Sequence, residues 1–119
     1  MTTATAPAMS EDELMACVVG TKSHPGLARI YAWKIAHFRP AMTTRGMRTP
    51  VSADGAGFPD LVMIKQRRLL VVELKSSNAG RIPFEQIAWL QAFRDAGAEA
   101  WIWRPEHWHD GTIERELRR

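Results

Sequence analysis

The chain has 119 residues, 45% hydrophobic and 24% charged, with 16 Lys and Arg against 13 Asp and Glu for a formal net charge of +3. That length supports one hydrophobic core but not two, and the composition is that of a globular protein, mildly basic in a way that suits a polyanionic partner. One cysteine, Cys17, excludes an intrachain disulfide framework and a thiolate zinc cluster, and no run approaches the ~20 apolar residues of a membrane-spanning helix.

Residues 1–9 are small and rich in Thr and Ala, without the basic-then-apolar pattern of a secretory signal. They read as a flexible lead-in to a single domain over residues 10–119, in a cytosolic protein. Ser10 is placed to cap a helix that opens with Glu11, Asp12 and Glu13, acids that complement the helix dipole. Leu14, Met15, Val18 and Val19 give it an apolar stripe, and Cys17 reads as a small buried hydrophobe. Lys22–Gly26 is a turn. The second half of Leu27–Phe38 reads as a strand.

Arg39–Gly57, with two prolines and three glycines, reads as a long irregular connection, of the kind that is functional or disordered. It carries Arg39, Arg45 and Arg48, candidates for phosphate contact. Leu61–Ile64 and Leu69–Val72 then form a hairpin about the polar turn Lys65–Arg68. A second turn, Ser76–Gly80, leads to Pro83 and a helix over Phe84–Ala96 that stops at Gly97. Glu99–Trp103 is a short strand ended by Pro105, and a short basic helix follows Asp110–Gly111. A crossover through the Phe84–Ala96 helix sets Glu99–Trp103 parallel to the strand before it. The fold class is therefore α/β, a mixed central sheet flanked by helices.

The hairpin carries charge at its open end. With the turn symmetric about Gln66 and Arg67, Ile64 faces Leu69, Val62 faces Val71 and Asp60 faces Glu73. Directly opposed residues have Cβ atoms ~4.5–5.5 Å apart and share a face, and Lys75, two residues past Glu73, shares it as well. Two carboxylates so close repel, and a cation between them relieves the repulsion. Lys75 can supply part of that charge, which is all a solvated charge cluster would need. Mg²⁺ suits two acids, a backbone carbonyl and water better.

Gly57-Phe58-Pro59-Asp60, twelve residues, then Glu73-Leu74-Lys75 resembles the signature of the PD-(D/E)XK nuclease superfamily. Together with PFEQIAWLQAFRDAGAEAWIWRP, it resembles the VRR-NUC family, whose small stand-alone members are often encoded by phages and bacteria. The resemblance spans roughly Gly57–Pro105 and implies a restriction-endonuclease-like core. It implies that Asp60, Glu73 and the Leu74 carbonyl bind Mg²⁺ or Mn²⁺, and that Lys75 positions the attacking water. It brings in an acid from the first helix, Glu11 with Glu13 as the alternative, and Gln86 to orient substrate or water. First-turn acids complementing the helix dipole account for Glu11 and Glu13 equally well. Relatives have a shorter connection before GFPD, so no contact in the 39–56 stretch carries over.

The expectation is thus a metal-dependent DNA endonuclease in a phage or bacterial host cytosol. Relatives imply branched, flap or four-way-junction DNA, and a symmetric junction implies a homodimer. The alternative is a non-catalytic DNA-binding or partner module on the same fold. Arg67 and Arg68 read as a solvated turn, His107-Trp108-His109 as a surface loop, and Trp89, Trp101 and Trp103 as core. His37 ends a strand that could run beside the site.

Overall fold

The computed structural model describes residues 8–38, 41–43, 46–48, 51–76 and 81–119, with only the backbone described for 41–43 and 46–48. The chain divides into two compact units, one of Met1–Trp33, Leu74–Ala79 and Ile102–Arg119, the other of Lys34–Glu73 and Gly80–Trp101.

The first unit is mainly helical: α1 Glu11–Val19, α2 Leu27–Ile30, α4 Pro105–His109 and α5 Thr112–Arg118. Ser10 caps α1 as its sequence predicts. Its Oγ accepts from the Glu13 N–H at 3.1 Å while the Glu13 carboxylate accepts from the Ser10 N–H at 3.3 Å, a reciprocal pair that satisfies two donors the helix cannot. Leu14 and Val18 are fully buried, as the helical stripe requires, together with Trp103, Ile113 and Leu117. Cys17 is half-buried rather than fully enclosed. Burial pushes its thiol up, and the nearby Glu13 charge adds to the shift, so it is a poor nucleophile. Trp33 ties α2 to α5, its indole N–H donating to the Leu117 carbonyl at 2.8 Å, and the Tyr31 hydroxyl donates to Glu114 at 2.9 Å.

Helix α4 corrects the surface loop expected at His107-Trp108-His109. Pro105 does more than end a strand. It is the first residue of α4, where proline's fixed φ is already helical and its missing N–H costs nothing. The Arg104 N–H donates to His107 Nδ1 at 2.9 Å, so that imidazole serves as a cap.

Strands β1 Lys34–His37, β4 Leu61–Lys65, β5 Arg68–Leu74 and β6 Glu99–Trp103 form one mixed sheet in the order β1-β4-β5-β6, an α/β arrangement with helix α3, Phe84–Asp95, between β5 and β6 in sequence. β2 Ala41–Thr43 and β3 Gly46–Arg48 pair antiparallel as a separate two-stranded sheet. The connection expected to be irregular therefore holds a hairpin. Three residues per strand fall below the four to eight that a periodicity reading requires.

One face of the β4–β5 hairpin carries Leu61, Met63, Leu70 and Val72, all at 0% exposure. The other carries Val62, Ile64, Leu69, Val71 and Glu73, graded from half-exposed Ile64 to buried Glu73. Trp103 is core as expected, whereas Trp89 and Trp101 are only half-buried.

Candidate active site

Strand β4 pairs with β5 through Leu61↔Val72, Val62↔Val71, Met63↔Leu70, Ile64↔Leu69 and Lys65↔Arg68, the register that a two-residue turn at Gln66 and Arg67 requires. Gln66 takes the left-handed conformation, φ 54°, that closes such a turn. The ladder closes at Leu61↔Val72, and the next residues beyond it are Asp60 on one side and Glu73 on the other. Arg68 is not a free turn residue. It makes a bidentate pair with Glu99, 2.7 and 2.8 Å, which fastens β5 to β6.

Each residue of the segment before Asp60 has a structural reason. Gly57 has φ +80° and lies against the first turn of α3, where a Cβ would fall 2.7 Å from Glu85 atoms and 2.8 Å from the Gln86 nitrogen. Only glycine fits both the conformation and the space. Phe58 packs edge-on against Phe38 and Trp89, with centroids 4.9 and 5.0 Å apart, and against Phe93 at 6.0 Å. Pro59 is fully buried. The Asp60 carbonyl accepts from the Phe38 N–H at 2.8 Å, which fixes the Asp60 backbone against the end of β1. His37 pairs with Leu61, so the pleat puts it on the Leu61 face, opposite to the Glu73 face.

Glu73 is 4% exposed and is the charged side chain of the buried set among the described residues. A buried carboxylate needs strong hydrogen-bond donors. Gln86, in the first turn of α3, gives one: its Nε2 donates to Glu73 Oε2 at 3.0 Å. The Gln86 amide oxygen is buried with no hydrogen-bond partner among the described residues. The second unit thus holds Asp60, Glu73 and Gln86, with Gln86 bonded to Glu73.

Leu74, Lys75 and Glu11 belong to the other unit. Leu74 ends β5 at 1% exposure, and half-buried Lys75 continues the ladder by donating its N–H to the Trp103 carbonyl at 3.0 Å. Glu11 opens α1 with an exposed side chain, while Glu13 is taken up by the α1 cap. Arg39 and Arg45 lie outside the described residues, as does the side chain of Arg48 on β3.

No group of three or more His, Cys, Asp or Glu among the described residues could hold a metal ion. The donors that Asp60 and Glu73 offer are all carboxylate oxygens, which fit a hard divalent cation that completes its shell with backbone carbonyls and water. A family model of the VRR-NUC domain matches residues 10–104. The chain belongs to the VRR-NUC family. The matched span contains Glu11, Asp60, Glu73, Lys75 and Gln86, and ends before α4 begins. No curated protein and no solved structure gives a match. VRR-NUC domains are PD-(D/E)XK-like nucleases, a group that typically uses divalent metals, so membership implies nuclease activity with DNA as substrate. Among the described residues, no helix of this VRR-NUC chain is long and apolar enough to cross a membrane.

Proposed function

We propose that this chain is a metal-dependent DNA endonuclease whose centre is built on Asp60, Glu73 and Lys75. The reading is supported by Glu73, a carboxylate buried at the hairpin's open end and hydrogen-bonded to Gln86, with Asp60 next to β4 at the same end. A solvated charge cluster would not spend burial on an acid. Asp60, Glu73 and the Leu74 carbonyl would hold Mg²⁺ or Mn²⁺, which when bound lowers the pKa of water and neutralises charge on the scissile phosphate.

The chain's own residues do the rest. Lys75, two positions on from Glu73, orients the attacking water in line with the phosphorus and offsets the developing charge. Gln86 holds the Glu73 carboxylate in place through its amide N–H, and its buried amide oxygen is left to accept from a water or substrate hydrogen. The 3′-oxygen leaves, producing 5′-phosphate ends. Glu11 is the candidate acid from the first helix, since the Glu13 carboxylate already caps α1. Arg39, Arg45 and Arg48 are candidates for phosphate contact. Branched, flap or junction DNA is the proposed substrate class, and a homodimer supplies the two centres that a symmetric junction requires.

Cleavage of a panel of duplex, flap, single-stranded and four-way-junction DNA, with Mn²⁺ and with EDTA, tests the proposal. Glu73→Gln keeps an acceptor for Gln86 and removes the charge. It should lose cleavage by at least about a hundredfold, roughly 2.7 kcal/mol of transition-state stabilisation, while melting no lower than the parent. Asp60→Asn should do the same. Cleavage at the parental rate in either variant would end the reading.

A further inference from the structure

The outer side of α3 carries two rows of residues at i, i+4 spacing: Phe84, Ala88 and Ala92 in one, Glu85 and Trp89 in the other. With the preceding loop at Ala53 and Ala56 they line an open groove of about 510 Å³, within the ordinary range for small-ligand sites, about 300–1,000 Å³. Two aromatics stand in it. Phe84 is 79% exposed, a costly place for a phenyl ring with no role. Trp89 is half-buried and held in position: its indole N–H donates to the Asp54 carbonyl at 2.9 Å, and Phe58 and Phe93 pack against its ring. The small alanine side chains leave room for a flat group between them.

The charged residues lining this groove are both acids, Asp54 and Glu85. On a chain of net charge +3 that is a local inversion, and it repels phosphate. It suits a flat, uncharged ring that carries hydrogen-bond donors. The position is informative as well. Glu85 immediately precedes Gln86, the partner of Glu73, and Gly57, three residues from Asp60, lies against the Glu85–Gln86 backbone. A group held in the groove therefore shares the first turn of α3 with Gln86, the partner of Glu73.

We propose that this groove takes one unpaired nucleobase bearing an exocyclic amino group, stacked on Phe84 and Trp89 with Asp54 or Glu85 accepting from the amine. The inference rests on the endonuclease reading and gives its substrate preference a cause. A base inside a duplex is stacked on both sides with its amine already paired, so only a base released from the duplex can enter. DNA with unpaired nucleotides beside the cut is then favoured over continuous duplex, and adenine, cytosine or guanine over thymine at that nucleotide.

The test uses the full chain carrying Asp60→Asn, so that DNA is bound and not cut. A flap substrate carries 2-aminopurine, a fluorescent base with an exocyclic amine, at its first unpaired nucleotide. Binding should quench the fluorescence by stacking. Phe84→Ala and Ala88→Leu, which remove a ring and fill the groove, should each abolish most of the quenching. Each should also reduce the flap-to-duplex affinity ratio by about tenfold, as loss of one base–aromatic stack implies. Thymine at that nucleotide should bind more weakly than adenine. Undiminished quenching and an unchanged ratio in both variants would overturn the proposal. So would a Phe84→Ala variant that turns a dimer into a monomer by light scattering with the ratio unchanged, since the groove would then join copies of the chain. Failure of the endonuclease reading has a different signature: no cleavage by the unsubstituted protein with Mn²⁺ while the groove variants still alter the quenching.

Discussion

Replacing Gly57 with alanine probes how the hairpin's open end is held against α3, and Gly97 supplies the matched control. Both glycines have left-handed backbones, φ +80° and +97°. That conformation costs an alanine about 1 kcal/mol net, after subtracting what the substitution gains by restricting the unfolded chain. At Gly97 nothing lies within 4 Å of the added Cβ, so that cost is the whole effect. At Gly57 the Cβ meets backbone atoms of Glu85 and Gln86 at 2.7 and 2.8 Å. Backbone in a helix cannot swing aside, and overpacking of this kind adds about 2 kcal/mol. Gly97→Ala should therefore lower Tm by about 4 °C and Gly57→Ala by about 12 °C in a domain of this size. Thermal unfolding followed by circular dichroism, without metal, measures both. Because the strained contact is with the turn that carries Gln86, Gly57→Ala should also depress Mn²⁺-dependent cleavage, whereas Gly97→Ala should not. Equal losses of Tm in the two variants would refute the reasoning.

Trp33→Phe removes the donor to the Leu117 carbonyl in a site where Trp33 is 3% exposed. Loss of that buried hydrogen bond should cost about 1 kcal/mol, read as a lower urea midpoint with an unchanged slope. Tyr31→Phe tests a pH dependence. The hydrogen bond to Glu114 raises the Tyr31 pKa above its ordinary 10.0, followed by desolvation and the Glu114 charge. A group whose folded pKa is raised stabilises fully below its unfolded pKa and loses that contribution as pH climbs through the folded value. The parent should thus lose stability more steeply than Tyr31→Phe as pH rises above about 10, which equilibrium unfolding across pH 8–12 would register as converging curves. Asp110, held below its ordinary 3.8 by the Thr112 hydroxyl and N–H, works in the opposite direction. Its contribution is present above that value and lost as pH falls through the folded one, so Asp110→Ala should flatten the acid limb of the same measurement.

Much of this architecture could be read from the residues because local signals agreed with each other. Ser10 and the acids after it marked the start of α1, Gly97 the end of α3, and the even spacing of two apolar runs gave the β4–β5 register to the residue. The misses have equally local causes. The β2–β3 hairpin is too short for its alternation to stand out, and α4 is announced only by a proline that also explains a strand's end. Arg68 looked like turn charge because its partner, Glu99, is remote in sequence. The same remoteness hid the Gln86–Glu73 bond and the reason for Gly57, which depends on α3 passing close by. Pair spacing within one hairpin is written in the sequence, whereas contacts between elements depend on tertiary packing.

The placement of Glu73 makes sense only if stability is not what that position serves. From Leu70 to Leu74, β5 is buried along its length, and Val71 and Val72 on its two faces are at 0% exposure. Every local consideration favours a β-branched apolar residue at position 73, and replacing buried charge by a well-packed apolar group is often neutral or stabilising. The chain instead keeps a carboxylate there and commits the first turn of α3 to it through Gln86, which in turn requires a glycine at 57. Three positions that gain nothing from one another in a purely structural hairpin are thus coupled around one acid. Such a conflict between local preference and observed residue is expected where a side chain serves chemistry. It singles out Glu73 among the acids on geometric grounds, apart from any resemblance of motif.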